Sequence, residues 1–356
     1  MNQNKRWCIG FAGIVLITLV LIGILTIVVD PYFHYHKPLE TLEYPLNSER
    51  QRYINDGIIR NFEYDAIIIG SSMTENFKTS QLDELFGVNS VKACYMGTTY
   101  YEIANNIQNA IDNHEEIKMV LTSLDVTRLC DESDAVRDDM GTYPSYLYDG
   151  NYLNDVQYIL NKDVLLEDTY GAINHTLDGK ETTSFDEYSN WMQYSVFGKE
   201  AVLASYVRTE PAEANPEAME EQQARIHDNI TENVISVASE NPETQFYVFF
   251  PPYSICFWDD MSRRGLVGWQ TENIKIATGL LLECENIHVY AFYEETDIVC
   301  DLNNYKDIAH YSENINEQIL AWMASGEHEL TKENAEQYFD DMEKFYTNYD
   351  YDSLFQ

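Results

Sequence analysis

The feature that most constrains this chain is an uncharged run near its amino end. Residues 7–29 carry no charge and would span about 34 Å as a helix, which is enough to cross the hydrocarbon core of a bilayer. Lys5 and Arg6 precede the run and Asp30 follows it, so the positive-inside rule predicts a cytoplasmic stub at residues 1–6. A cleaved signal peptide is the alternative, but the run exceeds a usual signal core and lacks a small-x-small cleavage site. We expect a single-pass membrane anchor with everything after it outside the cell.

The charge of the chain excludes one class of partner. Acidic residues outnumber basic ones 60 to 22 over 356 residues, for a formal charge of −38. Such a surface repels the phosphates of nucleic acid, so nucleic-acid binding is excluded. Hydrophobic residues make up 45% of the chain, which is far above what an acidic disordered polymer contains. We therefore expect most of the chain to fold.

The cysteines leave their pairing open. Five of the six follow the anchor, and an odd number cannot all pair within one chain. Cys284 and Cys300 are close enough in sequence to pair, but buried free thiols are an equal alternative. No Cys-x-x-Cys occurs, so zinc or thioredoxin-like chemistry has no support and no cofactor is implied.

Short apolar runs alternate with helical stretches through most of the remaining chain. Each run is rich in β-branched or aromatic residues and ends in a turn signal, a pattern typical of a parallel sheet with helices on both faces. The fold class predicted is α/β, a three-layer α/β/α sandwich with a parallel, flavodoxin-like sheet. We place strands at residues 66–69, 91–94, 119–124, 246–250 and 287–292.

Composition divides the chain further. Between the third and fourth strands the sequence becomes rich in Tyr, Asp and Asn, which indicates a lid-like insertion at the carboxyl edge of the sheet. Tyr143 and Trp191 are its candidate substrate contacts, while packing within the insertion is the alternative for such aromatics. The predicted segments are the membrane helix 7–29, a juxtamembrane segment and entry helix 30–62, the core 63–128 and 231–326, the insertion 129–230, and an acidic tail 327–356.

A serine follows the first strand directly. The strand 66–69 ends in Gly70-Ser71-Ser72, and residues 74–86 are predicted to be helical. A hydroxyl between a strand and a helix N-terminus is well placed for nucleophilic attack, because the helix end stabilises negative charge. A purely structural turn is the alternative for this segment taken alone.

A possible base for that serine follows the last strand. His310 is the one histidine of eight that is predicted to lie on a carboxyl-edge loop, and Asp307 precedes it by three residues. A hydroxyl nucleophile needs a base near neutral pH and a carboxylate that orients it. Asp301 is the second candidate for the carboxylate, and a helix-capping or surface histidine is the alternative for His310.

This order of parts resembles the SGNH, or GDSL-like, hydrolase superfamily. Gly70-Ser71-Ser72 matches its first block, with Ser72 as the nucleophile, and Asp307 with His310 matches its last block. Gly97 matches the glycine of its second block, and the resemblance implies that the backbone N–H groups of Ser72 and Gly97 form an oxyanion hole. The resemblance covers the core but not the insertion or the tail.

The third block departs from that pattern. The superfamily places an Asn after the third strand, where its side chain donates to the oxyanion, but this chain has Asp125. An ionised Asp cannot donate, and losing such a donor costs about 10²–10³ in rate. Asp125 is therefore protonated, is replaced by Thr122 or Ser123, or marks weakened catalysis.

The Gly-Ser-Ser form of the first block and the predicted anchor resemble the membrane-anchored proteins of teichoic-acid D-alanylation and of polysaccharide O-acetylation. They also resemble single-anchor proteins of Gram-positive bacteria. The resemblance implies an extracytoplasmic esterase or O-acyl (acetyl) transferase acting on a cell-envelope glycan, with a membrane-bound acyltransferase as a partner to consider. Arg128 could meet an anionic group of the substrate, although a salt bridge is the commoner role for such a residue. The rival hypothesis is a non-catalytic glycan-binding or accessory protein on the same scaffold.

Overall fold

A computed structural model describes residues 3–137, 139, 143–212 and 215–355. The chain divides into two compact units, Met1–Glu63 with Gly141–Ser184, and Tyr64–Met140 with Phe185–Gln356. This division takes part of the predicted insertion 129–230 into each unit. The predicted segment boundaries stay predictions, and residues 138, 140–142 and 213–214 of the insertion lie outside the described residues.

The first unit begins with the apolar helix α1, Gln3–Val29. This helix is long and apolar enough to cross a membrane, and a signal sequence near the amino end would meet the same criterion. The π-helical turn Val164–Thr169 packs against α1. The other helices of this unit are α2 (Gln51–Asn61), α5 (Ser145–Tyr148), α6 (Val156–Ile159) and α7 (Tyr170–Leu177).

The second unit is built on a six-stranded sheet. Its order is β2-β1-β3-β4-β5-β6, in which the first five strands are parallel and β6 is antiparallel to β5. The parallel order 2-1-3-4-5 is the flavodoxin-like order. The strands are β1 (Ala66–Ile69), β2 (Ser90–Lys92), β3 (Met119–Ser123), β4 (Gln245–Phe250), β5 (Ile287–Ala291) and β6 (Glu329–Leu330).

Helices cover the sheet, as the buried strands require. β1 and β3 are buried along their whole length, as expected for central strands with helices on both faces. Helix α3 (Thr79–Phe86) packs on α14 (Glu313–Ser325), while α4 (Tyr100–Asn113) packs on the segment 231–240. The remaining helices are α8 (Lys199–Ser205), α9 (Pro216–Ile230), α10 (Ser236–Glu240), α11 (Ile255–Arg263), α12 (Val267–Leu281), α13 (Thr296–Val299) and α15 (Ala335–Asn348). The predicted α/β/α sandwich is confirmed.

Apart from differences of one residue at strand ends, the predicted elements differ from the structure in a few places. Strand β2 ends at Lys92, two residues before the predicted end, and the helix predicted at 74–86 begins only at Thr79. Strand β6 was not predicted, because two residues are too few to give an alternating pattern. Cys284 and Cys300 are both free thiols, so the disulfide considered between them is not formed.

The sheet order explains why distant residues meet. Parallel strands that are neighbours present their carboxyl ends at one edge, and β1 lies between β2 and β3, with Ile69 paired to Thr122. The chain reverses its direction of winding there, which opens the crevice where α/β proteins bind ligands. The turn after β1, which holds Ser72, and the turn after β3, which holds Asp125, therefore lie at the same edge.

Candidate active site

The turn after β1 is shaped by a glycine. Gly70 has a φ of +144°, and a Cβ atom there would lie 2.8 Å from Thr74 Oγ1 and 3.2 Å from Ser123 Oγ, so a side chain would be strained and crowded. The chain then turns twice without forming an α-helix: the Thr74 N–H donates to Ser71 O at 3.0 Å and the Phe77 N–H donates to Thr74 O at 3.3 Å. The expected helix N-terminus directly behind Ser72 is therefore absent from this turn.

Ser72, His310 and Asp307 form a hydrogen-bonded series. Ser72 is half-buried, and its Oγ lies 2.8 Å from His310 Nε2. His310 Nδ1 lies 2.8 Å from Asp307 Oδ2 and 3.0 Å from Asp307 Oδ1. Because an ionised carboxylate only accepts hydrogen bonds, this arrangement holds the proton on Nδ1 and leaves Nε2 free to accept from the serine hydroxyl.

Local backbone fixes the carboxylate. Asp307 Oδ1 accepts from the N–H groups of Ala309 at 2.9 Å and His310 at 2.8 Å. Burial alone would raise the pKa of Asp307, but the hydrogen bonds and charge of His310 and these backbone donors hold it at about 2. Asp301, the second candidate, is exposed and instead caps the turn Leu302–Asn304 through the N–H of Asn303.

Trp191 lies against both the nucleophile and the base. Its indole N–H donates to the Ser72 carbonyl oxygen at 3.1 Å, and its ring meets the His310 ring edge-to-face with centroids 5.4 Å apart. The Lys306 ammonium lies 3.9 Å from the centroid of the Trp191 ring. Tyr143, the other predicted aromatic contact, belongs to the first unit, where its ring lies 4.9 Å from that of Tyr148.

Two arginines hold the loop that contains Gly97. The Arg137 guanidinium donates to the Met96 carbonyl oxygen, and Arg128 Nη2 donates to the Gly97 carbonyl oxygen at 3.1 Å. The C=O of Met96 and the N–H of Gly97 belong to one planar peptide unit and point in opposite directions. The Gly97 N–H therefore points away from the Arg137 guanidinium. Arg128 also pairs with Asp131 at 3.2 Å, so its predicted contact with an anionic substrate stays a prediction.

Asp125 accepts hydrogen bonds from two hydroxyl groups. Tyr253 donates to Asp125 Oδ1 at 3.0 Å, and the Ser71 hydroxyl also bonds the carboxyl group. Burial raises the pKa of Asp125, although these hydroxyls and the charges of His310 and Arg128 oppose the shift. A raised pKa favours the protonated carboxyl group, which is the form that can donate to an oxyanion.

The two alternative donors lie within the sheet. Thr122 and Ser123 are 3% and 1% exposed, and neither hydroxyl oxygen has a hydrogen-bond partner within the described ranges. Thr122 lines a small apolar cavity with Ile103, Ile107 and Phe246. Ser123 instead faces Gly70, on the other side of the sheet from Thr122, as successive residues of a strand must. Of the three candidate oxyanion donors, Thr122, Ser123 and Asp125, Asp125 is the one that lies beyond the end of β3.

Sequence reasoning missed several residues around the serine. Arg137 orients the Gly97 loop. Asn76 Oδ1 accepts from the backbone N–H of Trp191 at 3.2 Å, and the Lys306 ammonium lies over the indole ring of Trp191. Arginine is scarce in so acidic a chain, and that scarcity is the one signal that could have drawn attention to Arg137. The other two carry no local pattern.

Comparison with known proteins adds little to this geometry. No protein-family model and no curated protein matches the chain. A matching solved structure, from Streptococcus pneumonia, is provisionally described as a platelet activating factor. It is 12% identical, with a TM-score of 0.35, and the match covers 78% of this chain and 91% of that chain. The candidate active site is therefore defined by its own contacts.

Proposed function

We propose that this chain is a membrane-anchored serine esterase or O-acyltransferase that acts outside the cell on an acyl group, most simply acetyl, of a cell-envelope glycan. One observation carries the proposal: Ser72 Oγ is 2.8 Å from His310 Nε2, and His310 Nδ1 is 2.8 Å from Asp307. A half-buried hydroxyl with an oriented imidazole base is the arrangement that activates serine in acyl transfer.

The chemistry follows from these contacts. Ser72 Oγ attacks the ester carbonyl carbon while its proton passes to His310 Nε2, and Asp307 stabilises the imidazolium that forms. The tetrahedral intermediate then expels the sugar alkoxide, which takes the proton from Nε2, and the acyl group stays on Ser72. Water or another sugar hydroxyl then attacks the acyl-enzyme and gives its proton to His310. The bond between the acyl carbon and Ser72 Oγ breaks, and Ser72 takes the proton back from Nε2. The choice between these acceptors separates a hydrolase from a transferase.

The developing oxyanion needs donors. The N–H groups of Ser72 and Gly97 are the candidates, and the grip of Arg137 on the Met96 carbonyl oxygen supports this role for Gly97. A protonated Asp125 would supply a third donor. The glycan substrate rests on the resemblance to envelope acylation proteins and on α1, whose length fits a membrane span.

The test uses the full chain in lipid nanodiscs, exposed to a fluorophosphonate probe and to 4-nitrophenyl acetate. Ser72→Ala should abolish labelling and lower turnover by about 10³-fold or more, because both need the activated hydroxyl. Ser205→Ala is the matched control, since Ser205 is exposed on α8 and its hydroxyl donates to the Val202 carbonyl oxygen of the same helix. Acetate release from an O-acetylated envelope polysaccharide then tests the substrate class.

A second candidate function is favoured by Asp125. A carboxyl group that accepts from Tyr253 and Ser71 would repel an oxyanion when ionised, which suits a scaffold that binds a glycan without cleaving it. A well-folded chain that takes no fluorophosphonate label at Ser72 would support this binding or accessory role and overturn the esterase proposal.

A further inference from the structure

The first unit carries a stripe of exposed apolar side chains close to α1. Hydrogen-bonded turns run from Asn151 into α6, where the Leu160 N–H donates to Val156 O at 3.1 Å. Leu153, Val156 and Leu160, here called the apolar stripe, are 90%, 52% and 38% exposed. Val156 lies in α6, Leu153 in the turn before it and Leu160 directly after it, and a spacing of three and four residues is the one that places side chains on the same side of a helical turn.

The opposite face of the same segment is fastened to the residues that follow α1. Tyr158 donates its hydroxyl to Asp30 Oδ1 at 2.8 Å, and Asp155 Oδ2 lies 3.2 Å from His34 Nε2. Both Tyr158 and Asp155 are buried. The segment therefore has a fixed inner face, and the apolar stripe is turned outward.

Contacts with α1 determine the depth at which the apolar stripe would lie in a bilayer. A Cβ atom on Gly23 would lie 2.9 Å from Ile159 Cγ2 and 3.9 Å from Leu160 Cδ2. Gly23 precedes Val29, the last residue of α1, by about 9 Å along the helix axis. A hydrocarbon core of about 30 Å centred on the uncharged run would reach almost to Val29. Leu160 then lies at the depth of the outer leaflet.

We infer that the apolar stripe is immersed in the acyl chains of the outer leaflet, as a second membrane contact beside α1. Among the residues that the structure describes, Gly23, Thr26 and Val29 are the buried ones in the last turns of α1, and they share one face. Lipid contacts on the other faces of α1 therefore continue directly onto the stripe. Lys162, which follows the stripe, lies 3.5 Å from Asp163 Oδ1 and has a side chain 83% exposed, so its ammonium can also extend to lipid phosphates while its stem stays apolar. This inference rests on the proposed membrane anchor but not on the proposed chemistry.

The test measures quenching of tryptophan by brominated lipids, with one full-length chain per nanodisc. In a Trp7→Phe background the four remaining tryptophans all belong to the second unit. Leu153→Trp and Leu160→Trp add a reporter to the stripe, and Leu19→Trp adds one to α1. Nanodiscs of unbrominated lipid are the control, and Val207→Trp is a comparison on the second unit, where Val207 is 81% exposed.

With bromine midway along the acyl chains, the fluorescence added at residues 153, 160 and 19 should fall by about half or more relative to unbrominated lipid. Quenching at residue 19 without quenching at 153 and 160 would overturn the inference and leave the anchor standing. Absence of quenching at residue 19 as well would overturn the anchor. A second copy or a protein partner over the stripe would also protect it from bromine, and so would contradict the inference.

Discussion

At the scale of single residues, the protonation state of Asp125 determines whether its carboxyl group can donate a hydrogen bond at the candidate site. The pKa of this carboxyl group is raised because burial penalises its charged form. As pH rises through that pKa, the carboxyl group loses the proton that it could donate and gains a charge that repels an oxyanion. Activity that depends on Asp125 should therefore decline on the alkaline side.

Asp125→Asn should remove that decline and raise turnover of 4-nitrophenyl acetate at pH 8 by about tenfold or more, because an amide donates at every pH and carries no charge. The measurement is kcat from pH 5 to 9 for wild type and variant. Asp131→Asn is the control, since it removes a nearby carboxylate that pairs with Arg128. Lower turnover in Asp125→Asn than in wild type across the whole range would show that the carboxylate itself is needed.

Among the structural elements, the loop after β2 combines a left-handed backbone conformation that suits glycine with an orientation fixed by two arginines. Gly97 has a φ of +67°, and a Cβ atom there would overlap the Arg137 guanidinium. The sequence identified Gly97 through a motif, but the clamp by Arg137 and Arg128 comes from residues 31 to 41 positions away. A side chain at residue 97 would displace Arg137 and so release the peptide unit that carries the Gly97 N–H.

Gly97→Ala should therefore lower kcat by about 10²-fold, the cost of one oxyanion donor, and should also lower stability by about 1–2 kcal/mol because of the positive φ. Gly87→Ala is a matched control: Gly87 has a φ of +68° and ends α3, and the space that its new Cβ would enter is open out to 4 Å. Kinetics and thermal unfolding should show similar destabilisation in both variants and a loss of kcat in Gly97→Ala alone. Equal kcat in the two variants would remove Gly97 from the oxyanion hole.

At the scale of the whole molecule, the net charge determines how dissolved salt affects stability. With a net charge of −38, the acidic side chains of the folded chain repel one another. Dissolved salt screens this repulsion, since the Debye length falls from about 30 Å at 0.01 M to about 3 Å at 1 M. Basic residues are too few to pair with most of the 60 acidic ones, so screening removes more repulsion than attraction.

The melting temperature should therefore rise, by about 5 °C, between 0.01 M and 0.5 M sodium chloride at pH 7.5. At pH 5, closer to the isoelectric point of about 4.3, the same salt step should have a smaller effect. Differential scanning calorimetry of the chain in nanodiscs measures both. A melting temperature that falls with salt at pH 7.5 would mean that ion pairs outweigh the net repulsion.

The sequence by itself determined the parallel sheet, the apolar helix and the positions of Ser72, Asp307 and His310. These depend on local patterns: buried strands are continuous apolar runs, and Asp307 reaches His310 within one short loop. The late start of α3 escaped prediction because Thr74 bonds Ser71 O through both its N–H and its hydroxyl, which favours a turn over a helix.

Only the tertiary structure decided what surrounds the serine. Trp191 reaches Ser72 across 119 residues and Ser72 reaches His310 across 238. Contacts at such separations depend on the order of strands in the sheet, which sets the neighbours of each turn, and no local sequence pattern records them. The grip of Arg137 on Met96 and the seating of Ile159 on Gly23 are decided in the same way, by packing between segments that are far apart in the chain.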